Sequence, residues 1–295
     1  MNAVEIYETG KKVQLPSSWG EMTPKQVQGV FKAFDRCIRS GGSPLDFNVR
    51  VLWLLLGVRR TFRGWISDVL GRMRDPRRDE NVYRLCESCL GFLFSGDTAN
   101  LAFDSVTNPM PCVRSGVVKL HGPSDLLQDL TFGEFRHASA AVNRFFKTHD
   151  ESDLDECLAF LYRTRSCKAN RAGRAVPDVD QRNAAKHIRR VSRLSGWRKN
   201  LMMMWLSSCI NYLQSGTVVI NGEEIDLKVL FSGDGKSSGM NFGWNDLLVE
   251  IAKENIIGNI DRVDEEPLFS VLAIMWHNYK ERKNNEQIAK ASKAH

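Results

Sequence analysis

Two stretches of this chain open helices with the same local chemistry, and no other feature limits the fold as strongly. They are Thr23-Pro24-Lys25-Gln26 and Thr131-Phe132-Gly133-Glu134. In each, the threonine hydroxyl can accept from the backbone N–H three residues on. The Gln or Glu side chain can reach back to the threonine N–H, which completes a capping box. Pro24 also suits the first helical position. Behind the boxes, Val27, Val30, Phe31 and Phe34, then Phe135, Ala138, Val142, Phe145 and Phe146, recur at helical spacing. Each helix is followed by a break and a second apolar segment. The first break is Gly41-Gly42-Ser43-Pro44, before Phe47–Val58. The second is the acidic run Asp150–Glu156, whose charges favour the start of a helix over Leu154–Tyr162. The pairing of Trp19–Phe34 with Val49–Leu56 is echoed by Leu126–Phe146 with Leu158–Tyr162, and Trp244–Ala252 with Leu268–Trp276 reads as a third copy. Tandem duplication is one explanation. Antiparallel helix pairs joined by short loops, common in α-rich proteins, are the other.

Short hairpins punctuate the helices. Val4–Glu8 and Lys11–Leu15 flank Thr9-Gly10. Val117–Leu120 reads as a strand, and Thr217–Ile220 with Glu223–Leu227 alternate about Asn221-Gly222, a strong hairpin turn. Further helices are expected over Thr61–Met73, Asn81–Phe94, Trp197–Leu213, Trp244–Glu254 and Leu268–Lys283, with a polar loop at Arg74–Asp79 and extended chain at Asn108–Pro111. The expected fold is therefore mainly α, built from helix pairs with small β-hairpins. The expected domains are 1–112, helical with a β-hairpin, and 113–283, helical with a basic segment at 163–199 and a hairpin at 217–227. Residues 284–295 read as a polar, frayed tail.

The 295 residues suffice for one large or two medium domains, and 42% apolar with 26% charged residues excludes wholesale disorder. The N-terminus lacks a basic region followed by an apolar one, so no leader is expected. The longest apolar run, Val51–Val58, is too short to span a bilayer. Seven cysteines, an odd number, fit a reducing compartment. The total charge of +6 is unevenly placed. Between Arg163 and Lys199 stand twelve Lys and Arg against Asp178 and Asp180, a net of +10 that leaves −4 for the rest of the chain. The half before Val179 reads as an exposed loop, and Gln181–Lys199 as a basic helix.

Motifs for catalysis and cofactors are weak. Gly233-Asp234-Gly235-Lys236-Ser237 ends like a phosphate-binding loop, but position 230 is leucine where that loop needs glycine, so a flexible loop is expected. Cys86-Glu87-Ser88-Cys89 has metal-ligand spacing without a second pair and lies in an apolar helix, so both thiols are expected on its buried face. The acidic run lacks the glycine and terminal glutamate of a calcium loop and reads as a solvated helix start. The six histidines fall in no zinc-protease pattern, and no Gly-x-Ser-x-Gly occurs. The tryptophans read as core anchors. No catalytic, cofactor-binding or metal-binding residue is assigned. The residues expected to meet a partner are Arg182, Lys186, Arg189, Arg190, Arg193, Arg198 and Lys199. The partner is an acidic protein surface or, alternatively, nucleic acid.

Leu120-His121-Gly122-Pro123-Ser124-Asp125, Leu130–Phe135 and Leu158–Arg163, with the later pairing of Leu230-Phe231 and Trp244–Leu248, resemble a group of proteins from phages and prophages of Bacteroides-type bacteria. The resemblance covers roughly residues 115–280. It implies a structural or assembly role, as a tail-assembly chaperone or a virion or tail component, located in the virion or the infected host's cytoplasm. It carries over no functional residue. The expectation is thus a non-enzymatic protein that contacts other phage structural proteins, with self-association and nucleic acid as further partners and no membrane. The alternative is a phage-encoded nucleic-acid-binding protein using 163–199. An enzyme with a dispersed site is a third reading.

Overall fold

The structure, a computed structural model, describes residues 2–6, 11–57, 76–94, 100–177, 181–220, 222–231 and 260–293. The Thr9-Gly10 turn, the Thr61–Met73 segment, the Gly233–Ser237 loop, the Trp244–Glu254 helix, Trp65 and Asn221 lie outside the described residues. The fold is mainly α with three antiparallel two-stranded hairpins, as the sequence leads one to expect. The chain divides into two compact units: residues 1–110 with 195–205, and residues 111–194 with 206–295. The first unit thus takes in part of a helix that the sequence reading had assigned to the second domain.

The first unit begins with β1 (Asn2–Ile6) and β2 (Lys11–Leu15), then a short 3-10 turn at Trp19–Glu21. Helices α1 (Pro24–Ser40) and α2 (Pro44–Leu55) follow. The Gly41–Pro44 break holds its own helix signal. Ser43 caps α2 in a full capping box with Asp46, so α2 starts three residues before Phe47. Helix α3 (Pro76–Leu90) begins inside the expected Arg74–Asp79 loop. A proline in a polar run reads as a breaker, yet it pre-sets the backbone angle of a first helical turn. Cys86 and Cys89 lie on the buried face of α3. Burial, then the neighbouring Cys89, pushes the Cys86 thiol up to about 11. The core is aromatic: Trp19 packs against Phe103, Phe31 and Phe92 at centroid distances of 5.0, 5.9 and 6.1 Å. Such tilted and edge-on contacts add to the burial of large apolar surfaces.

The second unit repeats this order. Strands β3 (Cys112–Ser115) and β4 (Val118–His121) pair, so the expected strand at Val117–Leu120 is one arm of a hairpin turning at Gly116-Val117. A 3-10 turn at Asp125–Leu127 precedes α4 (Phe132–Thr148) and α5 (Glu151–Leu161). The helices α1 and α4 are both 17 residues long. Two side-chain devices recur. Thr23 N–H donates to Gln26 Oε1 at 2.8 Å, and Thr131 N–H donates to Glu134 Oε2 at 3.1 Å. Each threonine hydroxyl receives the returning N–H at 3.3 Å. Upstream, Ser17 donates its N–H and hydroxyl to the Glu21 carboxylate, and Ser124 donates both to Asp129. Element order and helix length thus recur, with two similar capping devices, the upstream one spanning four residues in the first unit and five in the second. The acidic run caps α5 through Asp150, as expected of a helix start. Asp155, however, is buried, so the run is not solvated throughout.

After α5 comes an irregular segment through Pro177, then α6 (Gln181–Val191) and α7 (Gly196–Ser215). The expected continuous helix over Gln181–Lys199 is broken at 192–195, where Leu194 turns inward to be buried and donates to Val191 O at 2.9 Å. Strands β5 (Thr217–Ile220) and β6 (Glu223–Asp226) form the expected hairpin, with Gly222 at φ +82°. Short α8 (Leu227–Phe231) and α9 (Ile260–Glu265) precede α10 (Leu268–Lys293). Helix α10 continues through ten residues expected to fray. A glycine-free and proline-free run after a seeded helix propagates readily, because nucleation is already complete.

Gly122 passes close to the buried ring of Tyr162. A Cβ built there would stand 2.4 Å from Tyr162 Cε1. Gly122→Ala is therefore expected to destabilise the protein by about 2 kcal/mol through overpacking, read as a lower urea midpoint. An unchanged midpoint contradicts this packing.

Candidate functional site

The segment after α5 holds the first half of the basic stretch, and it folds inward. Arg163 pairs with His121 beside β4 through two backbone hydrogen bonds, of 2.7 and 3.1 Å. Its side chain is 1% exposed. The guanidinium donates to Glu134 Oε1 and, at 2.7 Å, to Pro177 O. Glu134 Oε2 meanwhile accepts from Thr131 N–H and from Asn170 Nδ2 at 3.4 Å. The capping carboxylate of α4 is thus also the counter-ion of the buried arginine. Arg174, likewise buried, donates to Leu161 O and to His121 O. Burial, and then the positive Arg163, lowers its pKa to about 10. A turn supports both arginines: Asn170 Oδ1 accepts from Arg174 N–H at 2.8 Å, and Gly173 holds φ +85°. Arg171 pairs with Glu265 and Glu266. Arg163 and Arg174 are buried fastenings and Arg171 an exposed one, while Arg165 and Lys168 face solvent, so the loop is exposed as expected but anchored by these arginines as a strap.

Beside this strap lies a cleft of about 470 Å³, lined by Thr131, Gly133, Glu134, His137, Phe160, Arg163, Asn170, Arg171, Asp264 and Glu265, among others. Helix α9 approaches α4 closely here, because Gly133 has no side chain. A Cβ there would meet Asp264 at 2.9–3.0 Å. Arg136 grips Asp264 through two hydrogen bonds of 3.2 and 2.6 Å. The His137 ring stacks on Phe160 at 5.3 Å and 10°. Burial, then the Arg136 charge, holds His137 below its ordinary 6.5, so the imidazole is neutral at pH 7. The cleft's carboxylates Glu134, Asp264 and Glu265 are each paired with a guanidinium, of Arg163, Arg136 and Arg171 in turn. Among the described residues, no group of three or more His, Cys, Asp or Glu is placed to hold a metal ion.

The seven residues expected to meet a partner do not form one surface. Lys186, Arg189 and Arg193 are exposed and Arg190 is half-buried. Their spacing of three and four residues puts them along one side of α6 and its trailing turn. His187, Val191 and Leu194 occupy the buried side. The backbone of Arg182 belongs to α6, but its side chain lies outside the described residues. Among the described residues, none carries a carboxylate within ion-pair distance of Lys186, Arg189, Arg190 or Arg193. Arg198 and Lys199 belong to the other unit. Arg198 stands 5.2 Å over the Trp197 ring, and Lys199 is buried. Of these two, Lys199 leaves the expected surface by its burial, whereas Arg198 is half-buried, as Arg190 is. Charge counting missed the cleft, since its members come from 131–137, 160–171 and 264–265. The one local signal was the capping-box glutamate at position 134, where the first copy has the neutral Gln26.

A comparison of the chain with protein-family models, with curated proteins and with solved structures finds no match. Among the described residues, no helix is long and apolar enough to cross a membrane.

Two outcomes test the site. Glu134→Gln strands the buried Arg163 charge and is expected to cost about 3 kcal/mol. Asp153→Asn, at the more exposed Arg144 cluster, should cost under about 1 kcal/mol. Denaturant titration checks both, and equal costs contradict the assignment. The lowered pKa of His137 has a definite sign. Below 6.5 the unfolded chain binds a proton that the folded chain resists, so stability falls as pH drops from 6.5 toward the folded value. His137→Gln should flatten this part of the pH–stability curve.

Proposed function

We propose that this chain is a non-enzymatic structural or assembly protein of a bacteriophage, a tail-assembly chaperone or a virion or tail component, working through protein–protein contacts. The observation that carries the reading is the row Lys186, Arg189, Arg190 and Arg193. In the strap, Arg163 pairs with Glu134 and Arg171 with Glu265 and Glu266, whereas this row has no carboxylate within ion-pair distance among the described residues. Four like charges on one helix side repel one another and cost stability, and an acidic partner surface would relieve that cost. The sequence texture shared with phage and prophage proteins supports the virion or tail setting, with location in the virion or the infected cell. The arginine content of the row also suits phosphate, so nucleic acid is the second reading.

Mass spectrometry of purified virions, and of complexes captured on the tagged full chain, tests the proposal. Capture with head or tail proteins is expected, reduced at least tenfold by Lys186→Glu/Arg189→Glu/Arg193→Glu. Absence from virions and from all such complexes overturns it. A DNA-binding titration against salt separates the second reading: neutralising four phosphates gives a log–log slope of about −3 to −4, whereas protein docking alone leaves no DNA binding to titrate.

A further inference from the structure

Strand β4 has a neighbour on each side. On one side it pairs with β3, where Arg114 stands directly opposite Lys119 and Cys112 opposite His121. On the other, His121 bridges to Arg163, two residues before Arg165. Strand alternation buries Val113, Ser115 and Leu120. It leaves Cys112, Arg114 and Lys119 exposed on the opposite face, with His121 half-buried among them. Arg165 is exposed as well. Burial, and then the charges of Lys119, Arg165 and Arg174, hold His121 below its ordinary 6.5. Lys119 and Arg165 thus act on one imidazole, which is neutral at pH 7. The hairpin is firmly seated, since Leu120 is fully buried and Ser115 Oγ donates to Arg190 O at 2.6 Å.

This arrangement is unfavourable by itself. Like charges directly opposite in a hairpin, with Cβ atoms about 5 Å apart, destabilise the pair. Among the described residues, no carboxylate lies within ion-pair distance of Lys119 or Arg165. The chemistry of the face points to its partner. Protein interfaces draw their affinity from a buried apolar or aromatic core, with charges at the rim. Here a cysteine and a histidine accompany the cations, and the one exposed valine of the turn, Val117, falls far short of such a core. Sequence-independent binding of nucleic acid, by contrast, is supplied almost wholly by cations on phosphates. The spacing fits too. Neighbouring strands lie about 4.8 Å apart, so cations from β3, β4 and the segment bridged to β4 extend over about 10 Å. A DNA strand presents one phosphate per about 3.4 Å of helix axis, or about three over that distance.

We infer that Arg114, Lys119 and Arg165 form a face that binds the phosphate backbone of nucleic acid without reading its bases. Phosphates lying along this face relieve the repulsion between the opposed cations, and contacts of this kind carry no sequence information. The inference goes beyond the assembly reading proposed above and uses a different surface from the α6 row.

A salt titration with a short DNA duplex of mixed sequence tests it. The full chain carries Lys186→Gln/Arg189→Gln/Arg190→Gln/Arg193→Gln, which neutralises the α6 row, so that the binding left belongs to the hairpin face. This chain is expected to bind at low salt with a log–log slope of about −3, for three phosphates neutralised. Adding Lys119→Gln and Arg165→Gln should weaken binding at least tenfold and bring the slope to about −1. Both added changes are at exposed positions, and circular dichroism confirms that each chain folds. No DNA binding by the α6-neutralised chain, or a slope and affinity that the two added changes leave unaltered, overturns the inference. So does an oligoglutamate of equal charge that binds as tightly as the duplex, since the face would then belong to an acidic protein. None of these results bears on capture of head or tail proteins by the α6 row, which its own charge-reversed variant tests.

Discussion

The buried pair of Arg163 and Glu134 holds the second unit in its observed form. A guanidinium 1% exposed is tolerable only if its charge is matched. Glu134 supplies the charge while also closing the N-terminus of α4. Pro177 O accepts from a second guanidinium nitrogen, and the backbone bridge to His121 fixes the main chain of Arg163. One carboxylate thus links three things that sequence order separates: a helix start, the end of α5 and the strap that follows. The cleft depends on it too, since Glu134, Arg163 and Asn170 form one of its sides.

This interaction also explains where the chain's charge goes. The +10 segment is used twice. In its first half Arg163 and Arg174 are drawn inward, where they meet Glu134 and the carbonyls of Pro177, His121 and Leu161, and Arg171 pairs with Glu265 and Glu266 nearer the surface. Its second half, along α6, remains facing solvent. A count of formal charge treats the two halves alike, and only packing separates them. The result is a unit that carries a cationic row along α6 and, separately, a cleft lined by carboxylates paired with arginines.

Where the determinants are local, the sequence was an accurate guide. Both capping boxes, the helices behind them, the buried Cys86 and Cys89, and the hairpin at Gly222 follow from spacing and turn chemistry within a few residues. Pro76 misled because the same residue breaks a helix from inside and starts one from its first turn. The Gln181–Lys199 helix misled because charge periodicity says nothing of Leu194, whose burial interrupts it. The site was the least legible part. Its side chains converge from three distant stretches, and the burial of Arg163, Arg174 and Lys199 runs against the usual exposure of cations. The one clue was the difference between the two copies, Gln26 in the first and Glu134 in the second.

The anchored strap is the centre of this account, and hydrogen exchange on the full chain examines it most directly. In the fold described, the amides of Ser166, Arg174 and Val176 donate to Ala175 O, Asn170 Oδ1 and Arg174 O. They should exchange slowly in the wild-type chain and become fast in Glu134→Gln, while α1 and α2 keep their protection. Fast exchange across 163–177 in the wild-type chain would contradict the account, because the arginines would then be a solvated loop.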